Sequence, residues 1–197
     1  MSLRILPFLA AACLIVPLTG CVARGAARIT NVIPLQLQEG ANLVPHLAPD
    51  GRQGLVVEGR QPMARAPLIM TMLPRTEGAR GWDVVQADGP DGVPGPTIDA
   101  RGRSVVFARA KVGGMPATLL FVAQPDASDP APSGEPRRIV IRTLRLNVDE
   151  ASARFRSIGT ETTSRRYCSA SDAIAVTYRM ALREDDGASD RCSNPAT

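Results

Sequence analysis

The 197-residue chain has few of the residues on which catalytic and metal sites usually depend. It contains one histidine, His46, and one lysine, Lys111. A histidine- or thiolate-based zinc site needs three or four such ligands, and the chain has no Gly-x-Ser-x-Gly motif that could pair a nucleophilic serine with His46. No serine stands three residues before Lys111, which excludes a Ser-x-x-Lys motif. We therefore predict no catalytic residues, no metal site and no cofactor.

Aromatic residues are also scarce, at 4% of the chain. The 23 lysine and arginine residues exceed the 19 acidic residues only slightly, and no extended interleaving of basic and aromatic residues supports nucleic-acid binding. Nucleic-acid-binding domains usually combine a basic patch with stacking aromatic side chains. We therefore expect no nucleic-acid partner.

The N-terminus has the layout of a secretory signal. Arg4 is followed by a run of 14 residues without a charge, Ile5 to Leu18, which is short for a bilayer span of roughly 20 residues. Pro7 and Pro17 also interrupt helical hydrogen bonding within this run. The pattern predicts a signal peptide over residues 1–20.

The run ends in Leu18, Thr19, Gly20 and Cys21, which resembles the lipobox of bacterial lipoproteins. This resemblance implies cleavage before Cys21 and attachment of a lipid to its sulfur. Two or three acyl chains would then anchor the protein, since each buried methylene contributes about 0.8 kcal/mol. An ordinary secretory signal with a chance cysteine, or an uncleaved amphipathic anchor, remains the alternative.

The residue after Cys21 bears on location within the cell envelope. Val22 stands where the inner-membrane retention signal of lipoproteins has Asp. We therefore expect the chain to be anchored in the outer membrane facing the periplasm, rather than in the inner membrane.

Two of the four cysteines remain once Cys13 is removed and Cys21 is lipidated. An even pair in an oxidising compartment indicates a disulfide between Cys168 and Cys192. The loop of about 24 residues would make such a bond worth roughly 3 kcal/mol if unstrained. Two independent thiols are the alternative.

Short apolar segments divided by Gly, Pro and Asp dominate the rest of the chain, a pattern typical of β-strands. Gly113-Gly114, between two such segments, predicts a hairpin. The fold class we predict is a mainly β, single antiparallel β-sandwich or barrel-like domain with one short C-terminal helix. It would occupy residues 32–183, between a tether at 21–31 and a polar tail at 184–197. The expected strands are 33–38, 54–58, 68–73, 82–86, 104–108, 117–123, 138–146 and 153–160, with loops at 88–96 and 124–136.

The predicted helix runs from Ser169 to Arg183. Ser169 or Ser171 can cap its N-terminus, and the spacing of Ile174, Tyr178 and Leu182 places them on one face. The β-branched residues in this segment leave a final strand as the alternative.

Four carboxylates within and after the strand-like segment 82–86 allow a different hypothesis. Two facing carboxylates from Asp83, Asp88, Asp91 and Asp99 could form the acid and base of an envelope hydrolase. The stretch from Asp88 to Gly92 lacks the alternating oxygen ligands of a calcium loop, and we interpret it as a solvated turn.

The middle and end of the chain resemble a known family. The pieces concerned are Asn42-Leu43, Pro49 to Val57, Gly113 to Ala123, Ser128 to Pro132, and the segment from Phe155-Arg156-Ser157-Ile158 to Thr163-Ser164-Arg165-Arg166-Tyr167-Cys168. They resemble the CarG-like proteins, the periplasmic carbapenem intrinsic-resistance family, over roughly residues 42–175. The chain departs from the family in keeping only Asp50 of an aspartate-rich turn, and in having Ala100 where the family has a cysteine.

This resemblance implies a small β-rich periplasmic protein that protects cells or binds a partner without hydrolysing β-lactams, and it supplies no catalytic residues. We predict a lipid-anchored, non-catalytic envelope protein that binds a small-molecule ligand or an envelope protein. A structural component of an envelope assembly, which would expose a large apolar patch, is the remaining alternative.

Overall fold

The computed structural model describes residues 28–60, 67–75, 80–99, 103–132, 134–149 and 152–182. These residues form eleven β-strands and one α-helix. The elements are β1 (Ile29–Pro34), β2 (Gly40–Val44), β3 (Gly54–Arg60), β4 (Pro67–Pro74), β5 (Trp82–Asp88), β6 (Pro94–Gly95), β7 (Thr97–Asp99), β8 (Ser104–Val112), β9 (Met115–Pro125), β10 (Ile139–Val148), β11 (Ala153–Thr162) and α1 (Ala170–Tyr178).

All described strands belong to one curled, mixed sheet with the order β1-β8-β9-β10-β11-β5-β4-β3-β2. β6 pairs with β5, and β7 pairs with β4. A mainly β fold with one short helix is therefore confirmed. The antiparallel sandwich is not, because β5 and β11 pair in parallel within a single sheet. Hydrophobic periodicity shows which segments are strands but not that two segments so distant in sequence are neighbours.

The connection between β1 and β2 explains why the sheet curls. These strands are consecutive in sequence but lie at opposite ends of the sheet. The five residues 35–39 that join them can span about 20 Å at most, so the two ends must approach one another. Leu35 and Leu37 in this connection pack against the core on the inner side.

The curled sheet buries apolar side chains on both of its sides. The inner core includes Phe107 and Phe155, whose rings meet edge to face with centroids 5.8 Å apart. A second, outer core lies between α1 and strands β8 to β10. β9 is therefore buried on both sides, and every residue from Ala117 to Ala123 is buried.

The helix begins at the predicted position. The Ser169 side chain accepts a hydrogen bond from the backbone N–H of Asp172, as an N-cap residue does. Ile174 is fully buried in the outer core, with Tyr178 and Leu182 packed against it. The helix is shorter than predicted, since it ends before Arg179, which adopts the left-handed conformation with φ of 53°.

The Gly113-Gly114 hairpin is also found, joining β8 to β9. Its glycines have φ values of 60° and 85°, which suit a two-residue turn that requires positive φ at both central positions. β1 begins at Ile29, inside the segment predicted as the tether. No helix in the described ranges is long and apolar enough to cross a bilayer.

Candidate functional site

A cleft among the described residues lies beside the C-terminal end of α1. It has a volume of about 800 Å³ and opens between the start of β1, the second half of β11 and the last turn of the helix. Its lining is mainly polar side chains and strand backbone: Arg28, Ile29, Thr30, Asn31, Val32, Thr143, Ile158, Gly159, Thr160, Glu161, Thr177, Tyr178 and Arg179. Clefts of this size accommodate small molecules or a short peptide segment.

A hydrogen-bonded chain of three side chains forms the floor of this cleft. The Tyr178 hydroxyl donates to Glu161 Oε1 at 2.5 Å and lies 2.8 Å from Thr143 Oγ1. Burial, and then the Glu161 carboxylate, raises the pKa of Tyr178 well above its ordinary value. The phenol therefore stays neutral and acts as a hydrogen-bond donor, while its ring packs on Phe121 with centroids 4.2 Å apart.

Asp88, one of the four candidate carboxylates, joins the two strands of the parallel pair. Its Oδ1 accepts a hydrogen bond from Arg154 Nε at 2.6 Å, and its Oδ2 accepts one from the Ser157 backbone N–H at 3.0 Å. Burial raises the pKa of Asp88, but the hydrogen bonds from Ser157 and Arg154 lower it by more. The pKa of Asp88 therefore lies below its ordinary value. Arg142 also donates to the Asp88 carbonyl oxygen. The Asp88 carboxylate is thus held ionised at the point where β5 meets β11.

Asp83 does not converge on Asp88, whereas Asp91 lies in the turn after β5, and the Arg142 guanidinium is within electrostatic range of both Asp88 and Asp91. Asp83 forms an exposed ion pair with Arg75 at 2.9 Å. Asp83 and Asp88 are five positions apart on β5, so their α-carbons are about 17 Å apart and their side chains point to opposite sides of the strand. They therefore do not face each other across a cleft, as the two carboxylates of a glycoside hydrolase do. Asp91 accepts a hydrogen bond from the Val93 backbone N–H in its own turn, and Asp99 lies at the end of β7.

A fully buried carboxylate lies in the connection between β9 and β10, in the segment 124–136 that the sequence predicts as a loop. Asp129 accepts hydrogen bonds from the backbone N–H groups of Arg138 and Ala131 and from Arg166 Nη2. The Arg138 bond is the main cause that lowers the pKa of Asp129, against the opposing effect of burial. Arg166 precedes α1, so this contact ties the β9–β10 connection to the segment that places the helix.

His46 has a structural position. Its Nδ1 lies 3.1 Å from the Gly51 carbonyl oxygen, a contact that only a protonated Nδ1 can make as a hydrogen bond. The backbone at His46 is in the left-handed region, with φ of 51°. Among the described residues, no group of three or more His, Cys, Asp or Glu side chains is arranged to hold a metal ion.

The predicted modification sites fall elsewhere. Leu18, Thr19, Gly20 and Cys21 lie outside the described residues, as does Cys192. Lipidation of Cys21 and the pairing of Cys168 with Cys192 therefore stay predictions.

A second candidate surface is the outer side of strands β2 to β5. Leu43, Trp82 and Val84 are exposed there, with 57%, 40% and 40% of their surface accessible. Large apolar patches on a soluble domain usually mark an interaction site. The sequence signal for this surface is the segment 68–73 of β4, where apolar side chains lie on both sides of the strand and Thr71 alone is polar.

The described strands and helix define a class of fold, a curled, mainly β sheet with one covering helix. Among solved structures, the crystal structure of CarG is similar to it, with a TM-score of 0.50 and 16% sequence identity. The match covers 72% of this chain and 92% of the CarG chain, so the resemblance extends over nearly all of that fold. No family model matches the chain, and no curated protein matches it.

Proposed function

We propose that the chain is a lipid-anchored, non-catalytic envelope protein that binds a ligand or an envelope partner in the cleft beside α1. We propose that this binding serves the protective role that the resemblance to the CarG-like proteins implies. The likeness of fold to CarG supports the comparison, although it says nothing by itself about the ligand.

The proposal that the protein is non-catalytic rests on the contacts that three of the described carboxylates make. Asp88 joins β5 to β11, Asp129 joins the β9–β10 connection to the segment before α1, and Asp83 pairs with Arg75. Each is occupied by a partner within the fold, whereas a general acid and base must face a common substrate. The Tyr178 hydroxyl in the cleft is neutral and bonds to Glu161 and Thr143, so it is not poised to activate a nucleophile.

The anchor is supported by the sequence before β1. Cys21 precedes Ile29 by eight residues, and the small and polar residues between them suit a short tether. On this proposal, the domain is held close to the bilayer that carries the lipid.

Two measurements test the anchor. One is the mass of the mature protein, and the other is the mass of a variant in which oxygen replaces the sulfur of Cys21. We expect the protein from the membrane fraction to begin at Cys21 and to carry acyl chains. The Cys21→Ser variant should lose this mass, and Cys13→Ser, within the leader, should not. A full-length, unacylated product in the parent would refute the anchor.

The cleft is tested by a photo-crosslinking amino acid in place of Thr160, an exposed residue of its lining. In intact cells we expect discrete adducts from this position and none from Val176, which is 56% exposed on α1. Hydrolysis of an envelope substrate by the purified protein, abolished by Asp88→Asn, would overturn the non-catalytic proposal.

A structural role in an envelope assembly is a second candidate, and one observation favours it. The outer side of β2 to β5 exposes the kind of apolar surface that such a component requires. Loss of a stable complex from solubilised envelopes in a Leu43→Ser variant would support this role.

A further inference from the structure

The two outer sides of the sheet differ in what covers them. Over β8 to β10, the helix α1 covers the sheet with the fully buried Ala173 and Ile174. Over β2 to β5, Leu43 and Val84 remain exposed although they lie on the sheet and not in a loop.

The exposed Leu43 and Val84 belong to a continuous row across four strands, in which the two residues between them are half-buried. Leu43 pairs with Leu55, Leu55 pairs with Met72, and Met72 pairs with Val84. Since neighbouring strands lie about 4.8 Å apart, this row is about 14 Å long. Trp82, two residues before Val84 on the same side, extends it towards the start of β5. We call the surface formed by these five side chains the apolar face.

The apolar face is separate from the inner core. Successive side chains of a strand point to opposite sides. Val56, Leu73 and Val85, the neighbours in sequence of three residues of the face, are buried in the inner core. An antiparallel sheet with one side in water normally has polar residues on that side. Apolar residues on both sides of these strands therefore indicate that the outer side, like the inner side, meets an apolar surface.

The composition of the face points to a lipid surface. Tryptophan is enriched at the boundary between lipid and water, where its ring is buried in part and its N–H remains solvated. Methionine and leucine adapt to a fluid surface, because neither requires a fixed complementary shape. The mature chain has 22 basic and 19 acidic residues, so its net charge does not oppose approach to anionic headgroups.

The length of the chain before β1 brings the same surface within reach. Seven residues, 22–28, separate Cys21 from Ile29 and can span about 25 Å when extended. A domain of about 150 residues has a radius of gyration of about 15 Å, so a tether of this length lets one side of the domain rest on the bilayer.

We propose that the apolar face docks onto the lipid surface in which Cys21 is anchored, so that the protein lies against the membrane with α1 and the cleft directed elsewhere. This inference rests on the proposed lipid anchor. The apolar face would be a second membrane contact, weaker than the lipid anchor. The anchor could hold the protein on the membrane without it.

Trp82 makes the proposal testable, because it is the single tryptophan of the chain and lies in the face. The protein would be purified from membranes as the cell produces it and reconstituted in vesicles of phosphatidylethanolamine and phosphatidylglycerol. A fraction of the lipid would be phosphatidylcholine brominated on its acyl chains, which quenches tryptophan on contact. We expect quenching of Trp82 and a shift of its emission to shorter wavelength.

A double variant tests whether the face is responsible. Leu43→Ser with Val84→Ser should abolish the quenching and the emission shift while the protein stays on the vesicles. Val176→Ser removes an equally exposed apolar side chain from α1 and should leave both signals unchanged. Circular dichroism checks that each variant is folded. If the double variant does not fold, Leu43→Ser alone replaces it, with the same expected loss.

The remaining outcomes distinguish this inference from the proposed function. Vesicle-bound protein whose Trp82 is insensitive to brominated lipid and open to aqueous iodide would refute docking and leave the anchor standing. Protein that does not stay on vesicles would refute the anchor itself. Shielding of Trp82 that depends on protein density and not on bromination would assign the face to a second copy of the chain, and would also refute docking.

Discussion

The outer side of β8 to β10 and the outer side of β2 to β5 present similar apolar sequences to very different surroundings. Ala117 to Ala123 in β9 is buried on both sides, by the inner core and by α1. The run Leu68 to Leu73 in β4 is equally apolar, but its outward residues Met70 and Met72 are only partly buried. A run of apolar residues therefore identifies a strand without showing how many of its sides are covered.

The difference follows from the position of α1, the helix that the described residues form. α1 contacts β8, β9 and β10, and the segment before it is held by the Arg166–Asp129 pair and by the bridge between Arg137 and Tyr167. These contacts place the helix over one half of the sheet. The other half keeps its outer surface available for an external contact, which is why we assign the two halves different roles.

The largest effect is expected from removing a side chain on the helix-covered half. Phe121 is fully buried beneath α1 and packs against the Tyr178 ring. Phe121→Ala should lower the free energy of unfolding by about 3–5 kcal/mol, because it removes buried surface and leaves a cavity. Urea unfolding followed by circular dichroism would measure this. A loss below about 1 kcal/mol would mean that α1 contributes little, and that the two halves are energetically alike.

The junction between the two halves should be the next most sensitive point. Asp88 is 16% exposed and bonds to Arg154 and to the Ser157 backbone across the parallel pair. Asp88→Asn should cost about 1–2 kcal/mol at neutral pH, a value reduced by the partial access of solvent. Asp83→Asn breaks an exposed ion pair with Arg75 and is the matched control, with an expected cost of about 0.5 kcal/mol or less.

The pH dependence of this contribution has a defined sign. The folded state lowers the pKa of Asp88 below 3.8, so the stabilisation is complete above that value and is lost as the pH falls through the folded pKa. The difference in stability between the parent and Asp88→Asn should therefore be largest near neutrality and shrink below about pH 4. A difference that grows on acidification would contradict the assignment of Asp88 as an ionised link.

The sequence predicted the local features of the fold much better than its long-range pairings. The Gly113-Gly114 hairpin and the cap at Ser169 depend on a few neighbouring residues, and both are found. Arg154 and Gln86 pair in parallel although they belong to segments that are distant in sequence. The hydrophobic periodicity of either segment does not predict this pairing. For the same reason, the sequence did not reveal that Asp88 joins two strands, although it singled Asp88 out.

The candidate sites show the same division. Tyr178 was placed on the apolar side of the helix from its spacing, but its hydrogen bonds to Thr143 and Glu161 depend on how β10 and β11 pass beneath that helix. In the sequence, the apolar face was visible only as the mostly apolar segment 68–73 of β4. Its alignment with Leu43 and Val84 required the register of four strands.

A smaller effect is expected at the start of α1. Ser169 accepts a hydrogen bond from the Asp172 backbone N–H, and its hydroxyl also contacts the Ser171 hydroxyl at 2.6 Å. Ser169→Ala should cost about 1 kcal/mol, since it leaves a helix N–H without its capping partner. Ser171→Ala should cost less, because that hydroxyl is not the cap in the structure. Thermal unfolding of both variants compares them directly, and the reverse order would make Ser171 the functional cap.

The smallest effect on stability is expected from a substitution in the apolar face. The size of this effect distinguishes an interaction surface from part of a core. Leu43 is 57% exposed, so Leu43→Ser should change the free energy of unfolding by about 0.5 kcal/mol or less in the absence of lipid. The buried Ile174 on α1 gives the contrast, since Ile174→Ala should cost about 2–5 kcal/mol. Urea unfolding of the detergent-solubilised protein measures both. A cost for Leu43→Ser that approached the cost for Ile174→Ala would mean that Leu43 supports the fold, and the difference between the two halves of the sheet would then have to be explained without an external partner.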